Sequence, residues 1–261
     1  IDVGISEQNL IGVASGLSSE GFKIITTTFS PFQTLRCCEQ IKVNLGYMKH
    51  KVCMVGLASG LVLGNLGFTH CCIEDVSIIN SISGVDIYSP IDAGLISVVL
   101  EEILKKSRPS YLRITGEPGL NPIPTDKQID KKNLIYEISK GNEIIALTTG
   151  SVSSFVYEAY NDLEKDLKDK IGIYGINLIT PLKLDYIKNK LVKARKILIF
   201  EEGIKNGFFS QFIMSYPDLA SKSIPICHPK AFLECGTYKY MLEQSNLDKI
   251  SIFNTFKRLL E

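Results

Sequence analysis

The sequence lacks the features that mark several large classes of protein. Its 29 Lys and Arg balance 28 Asp and Glu, and no basic cluster offers a surface for a nucleic-acid backbone. No apolar run reaches the roughly 18 residues that a membrane helix needs, and the first residues show no signal-peptide pattern. We therefore expect no nucleic-acid partner, no membrane insertion and a cytoplasmic location.

Groups that hold metal ions are also scarce. The histidines His50, His70 and His228 are scattered singly, and no two cysteines have the C-x-x-C spacing. The cysteines number seven, which is odd, and the adjacent pairs Cys37-Cys38 and Cys71-Cys72 are poorly placed to join each other. The sequence therefore predicts free thiols and no metal site in this chain.

What is present is the pattern of a two-domain α/β protein. The chain has 261 residues, enough for two cores, and stretches of helical and strand periodicity alternate along it. Such alternation predicts two three-layer α/β/α domains with mainly parallel sheets. A region with several prolines and no apolar periodicity separates them. We predict a first domain over 1–116, a linker over 117–140 and a second domain over 141–261.

The periodicity also predicts individual elements. In the first domain we expect helices over 7–17, 31–47, 73–82 and 90–106, and strands over 24–28, 52–57, 85–88 and 110–114. In the second domain we expect strands over 143–148, 171–178 and 196–200, and helices over 151–167, 182–194, 207–216 and 247–260.

Three short segments follow one another in an informative order. Residues 4–9 read G-I-S-E-Q-N, residues 28–32 read T-F-S-P-F and residues 67–70 read G-F-T-H. Their order resembles the pyrimidine-binding half of the transketolase family, whose members carry G-I-x-E-Q-N, then T-F-x-x-F, then G-x-T-H. The resemblance continues through 88–93 and 109–113 into the second domain, so it covers essentially the whole chain.

The resemblance implies thiamine diphosphate as cofactor and a role for each of five residues. Glu7 would bond the aminopyrimidine ring, so that the ring's amino group can remove the thiazolium proton. Phe32 would support that ring, with Phe29 beside it. His70 would face the reacting carbons of the sugar, and Arg113 would meet a substrate phosphate.

Each of these residues also has a simpler interpretation when it is considered alone. Glu7 could be a favourable charge at a helix end. Phe29 and Phe32 could only fill the core, and His70 could be a buried histidine bonded to a backbone carbonyl. Arg113 could be a solvated surface charge.

The second domain resembles the C-terminal domain of transketolases. The matching landmarks are Thr149-Gly150-Ser151, Thr180-Pro181-Leu182 and Glu201-Glu202-Gly203. Family pyrimidine domains usually begin with a helix and a strand before the Glu motif, whereas this chain opens at Ile1, so we expect those first elements to be missing. The glycines of the loop over 58–69 match no phosphate-binding fingerprint, and we expect them to admit the cofactor or to give the loop mobility.

Two positions depart from the family pattern. Many transketolases carry T-H where this chain has Leu57-Ala58, and G-E-D-G where it has Gly64-Asn65-Leu66-Gly67. Ala58 thus replaces a substrate-facing imidazole and Leu66 replaces an Asp that reads a sugar hydroxyl. Losing a group that bonds a hydroxyl can change substrate discrimination by orders of magnitude.

The family's diphosphate-binding pattern, G-D-G followed by a downstream Asn, is not found. The resemblance therefore implies that the diphosphate is held, through Mg²⁺ or Ca²⁺, either by an N-terminal partner subunit in an α2β2 assembly or by an N-terminal region outside this sequence. We predict the C-terminal subunit of a split transketolase, which moves a two-carbon ketol unit from a ketose or ketose phosphate to an aldehyde or aldose acceptor.

Another relative, the deoxyxylulose phosphate synthase family, usually shows E-Q-H where this chain has Glu7-Gln8-Asn9, and it lacks Phe at the position of Phe32. Two further alternatives stay open. One is the β subunit of a 2-oxoacid dehydrogenase, although that family usually has Gly where this chain has Asn9 and lacks the T-F-x-x-F pattern. The other is a catalytically silent partner subunit, which the Ala58 and Leu66 changes would suit and the intact Glu7, Phe32 and His70 argue against.

Overall fold

The first sheet has five strands. The computed structural model describes residues 1–116, 122–123, 129–130 and 133–260. In this sheet β1 (Ile24–Phe29), β2 (Val52–Leu57), β4 (Ser110–Arg113) and β3 (Asp86–Tyr88) lie side by side in that order and are parallel. The fifth strand, β9 (Leu178–Thr180), comes from the second half of the chain and pairs antiparallel with β3.

The second sheet has six strands, which are β5 (Ile129–Asp130), β6 (Ile135–Lys140), β7 (Ile144–Thr148), β8 (Ile171–Ile176), β10 (Lys196–Ile204) and β11 (Ser223–His228). Their order across the sheet is β11-β10-β7-β8-β6-β5. Strands β11, β10, β7 and β8 are parallel, whereas β6 and β5 are antiparallel to their neighbours. The predicted α/β fold with two mainly parallel sheets is confirmed.

Helices connect the strands of both sheets. In the described residues the α-helices are α1 (Glu7–Ser19), α2 (Ser30–Gln33), α3 (Cys38–Gln40), α4 (Asp75–Asn80), α5 (Ile96–Lys105), α6 (Val152–Asn161), α7 (Lys165–Lys168), α8 (Lys188–Lys193), α9 (Phe208–Ser215), α10 (Tyr238–Gln244) and α11 (Lys249–Leu260). Short 3₁₀ segments cover Gly64–Thr69, Ala93–Leu95, Asp185–Ile187 and Pro217–Lys222, and a π-helical segment covers Ile41–Tyr47.

The predicted helix over 31–47 is broken into three pieces. The Thr34 hydroxyl donates to the Ser30 carbonyl at 2.7 Å, a side-chain bond that competes with the helical ladder where α2 ends. The chain then re-enters helix at α3 and continues into the π-helical segment. Similarly, the predicted helix over 151–167 ends at Asn161, and α7 follows as a separate turn.

The predicted strand over 171–178 divides at Asn177 and serves both sheets. Asn177 is fully buried; its side chain accepts from the Ile91 amide at 3.0 Å and donates to the Leu134 carbonyl at 2.9 Å. Because these bonds satisfy the side-chain amide where the backbone leaves β8, the next three residues can join the first sheet as β9. Periodicity alone does not show such a transfer between sheets.

The predicted linker over 117–140 is too long at its end. Residues 135–140 form β6, which pairs antiparallel with β8, so the second sheet begins before residue 141. Most of residues 117–132 lie outside the described part of the chain. The sequence prediction also missed β11 and α10.

One apolar core runs between the two sheets. It includes Met54, Ile87 and Tyr111 of the first sheet together with Ile145, Tyr174 and Ile199 of the second. The two domains are therefore packed directly on each other. Among the described residues no helix is long and apolar enough to span a bilayer.

Candidate active site

Three rings meet where β1 and β2 end. Phe29 closes β1, Phe32 lies on the helix α2 that follows, and the loop after β2 brings His70 to both. The ring centroids of Phe32 and His70 are 5.4 Å apart, and those of Phe29 and Phe32 are 6.2 Å apart. The carboxyl ends of parallel strands are the usual place for a ligand in such sheets. Three of the predicted site residues thus lie together.

Glu7 is the first residue of α1 and is only 8% exposed. Its Oε2 lies 2.7 Å from a guanidinium nitrogen of Arg36. Burial raises the pKa of the Glu7 carboxyl, but the hydrogen bond from Arg36, a backbone hydrogen bond at Glu7 and the charge of Arg36 together outweigh burial and hold the pKa below its usual value. Glu7 is therefore an ionised acceptor at neutral pH.

Arg36 links Glu7 to the rings. Its guanidinium carbon lies 4.0 Å from the centroid of Phe32 while its nitrogen bonds Glu7. One planar nitrogen-bearing group thus contacts the carboxylate and the ring at the same time. The sequence prediction missed Arg36, although its position four residues after Phe32 would place both on one helical face.

His70 is half-buried in the loop that follows β2. Its Nδ1 lies 2.9 Å from the Thr69 hydroxyl, and the Thr69 hydroxyl also donates to the Leu66 carbonyl at 3.2 Å. The partner of the imidazole is therefore a side-chain hydroxyl, whereas the simpler interpretation of His70 named a backbone carbonyl.

Arg113 requires a correction. It is only 4% exposed, so the interpretation as a solvated surface charge is wrong. Its Nε donates to Asp75 at 2.8 Å and another guanidinium nitrogen donates to the Glu202 carbonyl at 2.5 Å. The guanidinium is thus buried in contacts between the domains, and the expected contact of Arg113 with a substrate phosphate stays a prediction.

The loop glycines have a different role from the one expected. A Cβ at Gly60 would collide with the Glu202 carboxylate, and one at Gly64 would lie 2.5 Å from the Gly236 carbonyl oxygen. A Cβ at Gly67 would lie 2.9 Å from the Cys235 thiol. All three neighbours belong to the second domain, so these glycines let the loop pack closely against that domain.

The two family departures lie at the same edge of the sheet. Ala58 follows β2 with a φ of 50°, a left-handed conformation that is uncommon outside glycine. Leu66 is exposed on the 3₁₀ segment. Within the described ranges, no group of three or more His, Cys, Asp or Glu side chains is arranged to hold a metal ion.

Known proteins are similar to this chain in sequence. Residues 1–117 match the family model of the transketolase pyrimidine-binding domain. The chain is 32% identical over 209 residues to a protein named 6-deoxy-6-sulfo-D-fructose transketolase subunit SqwH from Clostridium sp. (strain MSTE9). That match covers 77% of this chain and 62% of the relative, so it spans less than two thirds of the relative's length.

A second relative is matched over nearly the whole chain. The sequence is 26% identical over 251 residues to a subunit of apulose-4-phosphate transketolase from Actinobacillus succinogenes. This match covers 95% of the present chain and 79% of the relative.

Solved structures agree with the fold. A structure described as split gene transketolase, inactive beta4 tetramer, superposes with a TM-score of 0.82 at 21% identity and covers 98% of this chain and 82% of that chain. The structure of transketolase from Campylobacter jejuni superposes with a TM-score of 0.76 at 18% identity, and the match covers 99% of this chain and 39% of that chain.

The fold and the cluster define a protein with a transketolase-type pyrimidine-binding domain followed by a second α/β domain. Residues 1–117 belong to the family of transketolase pyrimidine-binding domains, as the order of the motifs predicted, and the chain as a whole is similar to transketolase subunits.

Proposed function

We propose that this chain is one subunit of a split transketolase and moves a two-carbon ketol unit from a ketose to an aldehyde or aldose acceptor. The observation that carries the proposal is the spacing of Glu7 and Phe32, which one planar group contacts at the same time. When bound, thiamine diphosphate supplies a nucleophilic carbon for this chemistry. The names of the two relatives, both transketolase subunits, support it.

The chain's own residues would divide the work. Glu7 would accept a hydrogen bond from the aminopyrimidine and hold the proton that the ring exchanges. Phe32 would support the ring face, with Phe29 packed beside it at the mouth of the cluster. His70, whose ring lies against both phenylalanines, would face the reacting part of the sugar.

A second chain would complete the site. The sequence lacks the G-D-G pattern, so the partner would bind the diphosphate through Mg²⁺ or Ca²⁺. We propose an α2β2 assembly, which is consistent with a fold relative described as a β4 tetramer that is inactive. The seven cysteines are free thiols, which suits action in the cytoplasm.

The donor we propose is a ketose that carries an anionic group. The two relatives are named for a sulfo-ketose and a ketose phosphate, which share that property. Leu66 in place of a hydroxyl-reading Asp would favour a sugar that lacks the corresponding hydroxyl or presents it differently.

The test is Glu7→Gln in the complex reconstituted with its partner. The two side chains are nearly isosteric, so folding and assembly should survive, but the amide cannot exchange a proton in the same way. We expect exchange of the thiazolium C2 proton for deuterium and ketol transfer to fall by about 10²- to 10⁴-fold. Proton NMR follows the exchange, and a coupled assay follows the transfer.

Glu20→Gln is the matched control, because Glu20 is an exposed carboxylate at the other end of α1. It should leave both rates unchanged. Equal rates for wild type and Glu7→Gln would mean that Glu7 is only a charge at a helix end and does not activate the cofactor. A wild-type complex with neither exchange nor transfer would instead indicate the catalytically silent subunit.

A further inference from the structure

Glu202 is a buried carboxylate to which the proposed reaction gives no role. It lies on β10 and is 1% exposed. One carboxylate oxygen accepts from the Leu61 amide at 2.7 Å, and the other accepts from the hydroxyls of Ser151 at 2.6 Å and Tyr238 at 2.8 Å. Its carbonyl oxygen accepts from Arg113 at 2.5 Å. Glu202 thus bonds both domains at once.

The Leu61 amide belongs to the loop that carries His70. We call residues 60–72 the His70 loop. Its ends are joined by two backbone hydrogen bonds between Gly60 and Cys72, at 2.8 and 2.9 Å. Leu61, next to this junction, is fully buried. Glu202 therefore holds the His70 loop at its base, where the loop leaves the first sheet.

The second domain also contacts the His70 loop further along. Phe68 packs on the rings of His228 and Phe232, with centroids 5.7 and 5.1 Å away. Gly64 lies under the Gly236 carbonyl with no room for a Cβ. The second domain thus contacts the His70 loop at several points. At one of them the buried Glu202 carboxylate accepts a hydrogen bond from the Leu61 amide.

The neighbouring Glu201 shows that a buried carboxylate on β10 can have a different role. Glu201 is 3% exposed, and its two oxygens accept from the amides of Phe208 at 2.7 Å and Phe209 at 2.9 Å. It therefore caps α9 within the second domain. Of these two adjacent carboxylates, only Glu202 has its side chain bonded to the His70 loop.

We propose that Glu202 is a positioning residue through which the second domain holds the His70 loop in place and so fixes His70 beside Phe32. The part of this inference that concerns His70 as a substrate-facing group rests on the proposed function. The mechanical part, in which Glu202 restrains the loop, stands on the hydrogen bonds alone.

The mechanical part is tested by hydrogen exchange on the full chain, without cofactor or partner. Glu202→Ala should raise the amide exchange of residues 61–72 by about tenfold or more, because a charge-assisted bond is lost. Glu201→Ala, the matched control, should instead raise exchange at the start of α9 and leave the His70 loop unchanged. Equal exchange in the His70 loop for wild type and Glu202→Ala overturns the proposal.

Two milder variants keep the test decisive if Glu202→Ala does not fold. Glu202→Gln retains an acceptor for the Leu61 amide and should restore most of the loop's protection. Tyr238→Phe keeps the ring and removes one donor to Glu202, so it should raise exchange in the same loop by a smaller factor. If Tyr238→Phe does not raise exchange selectively in the His70 loop, Glu202 has no positioning role.

The functional part is tested in the reconstituted complex. Glu202→Ala should lower kcat for ketol transfer, whereas C2 proton exchange should stay near the wild-type rate, because Glu7 and Phe32 do not bond Glu202. A parallel loss of both rates would indicate general damage and contradict selective positioning. If the wild-type complex transfers no ketol unit, the proposed function is refuted. The restraint of the His70 loop by Glu202 still stands in that case if Glu202→Ala raises the exchange of the loop.

Discussion

At the residue scale, the structure adds one decisive partner to the predicted site. The motifs give Glu7, Phe29, Phe32 and His70 as site residues; in the fold the three rings contact one another, and Arg36 joins Glu7 to Phe32. The residue types were predictable because the chemistry demands a carboxylate and a ring. Arg36 was not, because its role depends on how α1 packs against the residues after α2.

The Arg36 contact makes a pH-dependent prediction. Arg36→Met removes the bond that lowers the pKa of Glu7, so burial should then raise that pKa above its usual value of 4.5. A lowered carboxyl pKa stabilises the fold above the usual pKa, and this stabilisation is lost as pH falls through the lowered value. Because Arg36 is 43% exposed, the loss at neutral pH should reach only about 1 kcal/mol.

Urea unfolding at neutral pH and well below pH 4.5 measures this difference. The destabilisation by Arg36→Met should shrink at the lower pH, where protonated Glu7 no longer needs the cation. Lys239→Met is the control, since its ammonium is 86% exposed and 3.9 Å from Glu243. A destabilisation by Arg36→Met that is the same at both pH values would show that the ion pair does not hold Glu7 ionised.

At the element scale, the local sequence pattern predicted most of the long helices and strands. It failed where contacts between distant residues determine where an element begins, ends or divides. The pattern predicts a strand over 171–178 but not its division into β8 and β9. The division depends on hydrogen bonds of Asn177 with Ile91 and Leu134, which are distant in sequence. The sequence pattern assigns the residues of β6 to the linker, because an antiparallel strand after an irregular region gives a weak periodic signal. The role of the loop glycines was equally hidden, because it depends on the second domain.

Two glycines give opposite predictions. Gly64→Ala would place a Cβ 2.5 Å from the Gly236 carbonyl oxygen and 2.5 Å from Cγ of Met241. Because the Gly236 oxygen is a backbone atom, relieving this overlap would require the backbone to move. We expect a loss of about 1–3 kcal/mol in the free energy of unfolding. Gly12→Ala lies inside α1 with nothing within 4 Å of the new Cβ, and it should stabilise the fold by about 0.5–1 kcal/mol.

Urea denaturation of the two single variants beside wild type checks both signs. The Gly12 variant shows that an added methyl is tolerated where a helix has room, so it isolates the close approach at Gly64. A neutral Gly64→Ala would mean that the His70 loop is not seated closely on the second domain.

At the scale of the whole molecule, apolar side chains remain exposed around the candidate site. They include Phe29 of the ring cluster, and Ile5 and Leu66, which are close in sequence to Glu7 and His70. Such a surface around an incomplete site is what a subunit interface requires. The missing diphosphate pattern predicted the need for a partner, and the exposed surface supports the same proposal independently.

The last prediction is that this chain alone does not hold thiamine diphosphate tightly. In the proposed site Glu7 and Phe32 would contact only the aminopyrimidine, and such contacts would supply just part of the binding free energy needed to offset the entropy lost on association. Isothermal calorimetry should detect negligible affinity for the isolated chain and strong affinity once the diphosphate-binding partner and Mg²⁺ are added. Chelating the cation should abolish the second signal. Tight, cation-independent binding by the isolated chain would contradict the division of the site between two subunits.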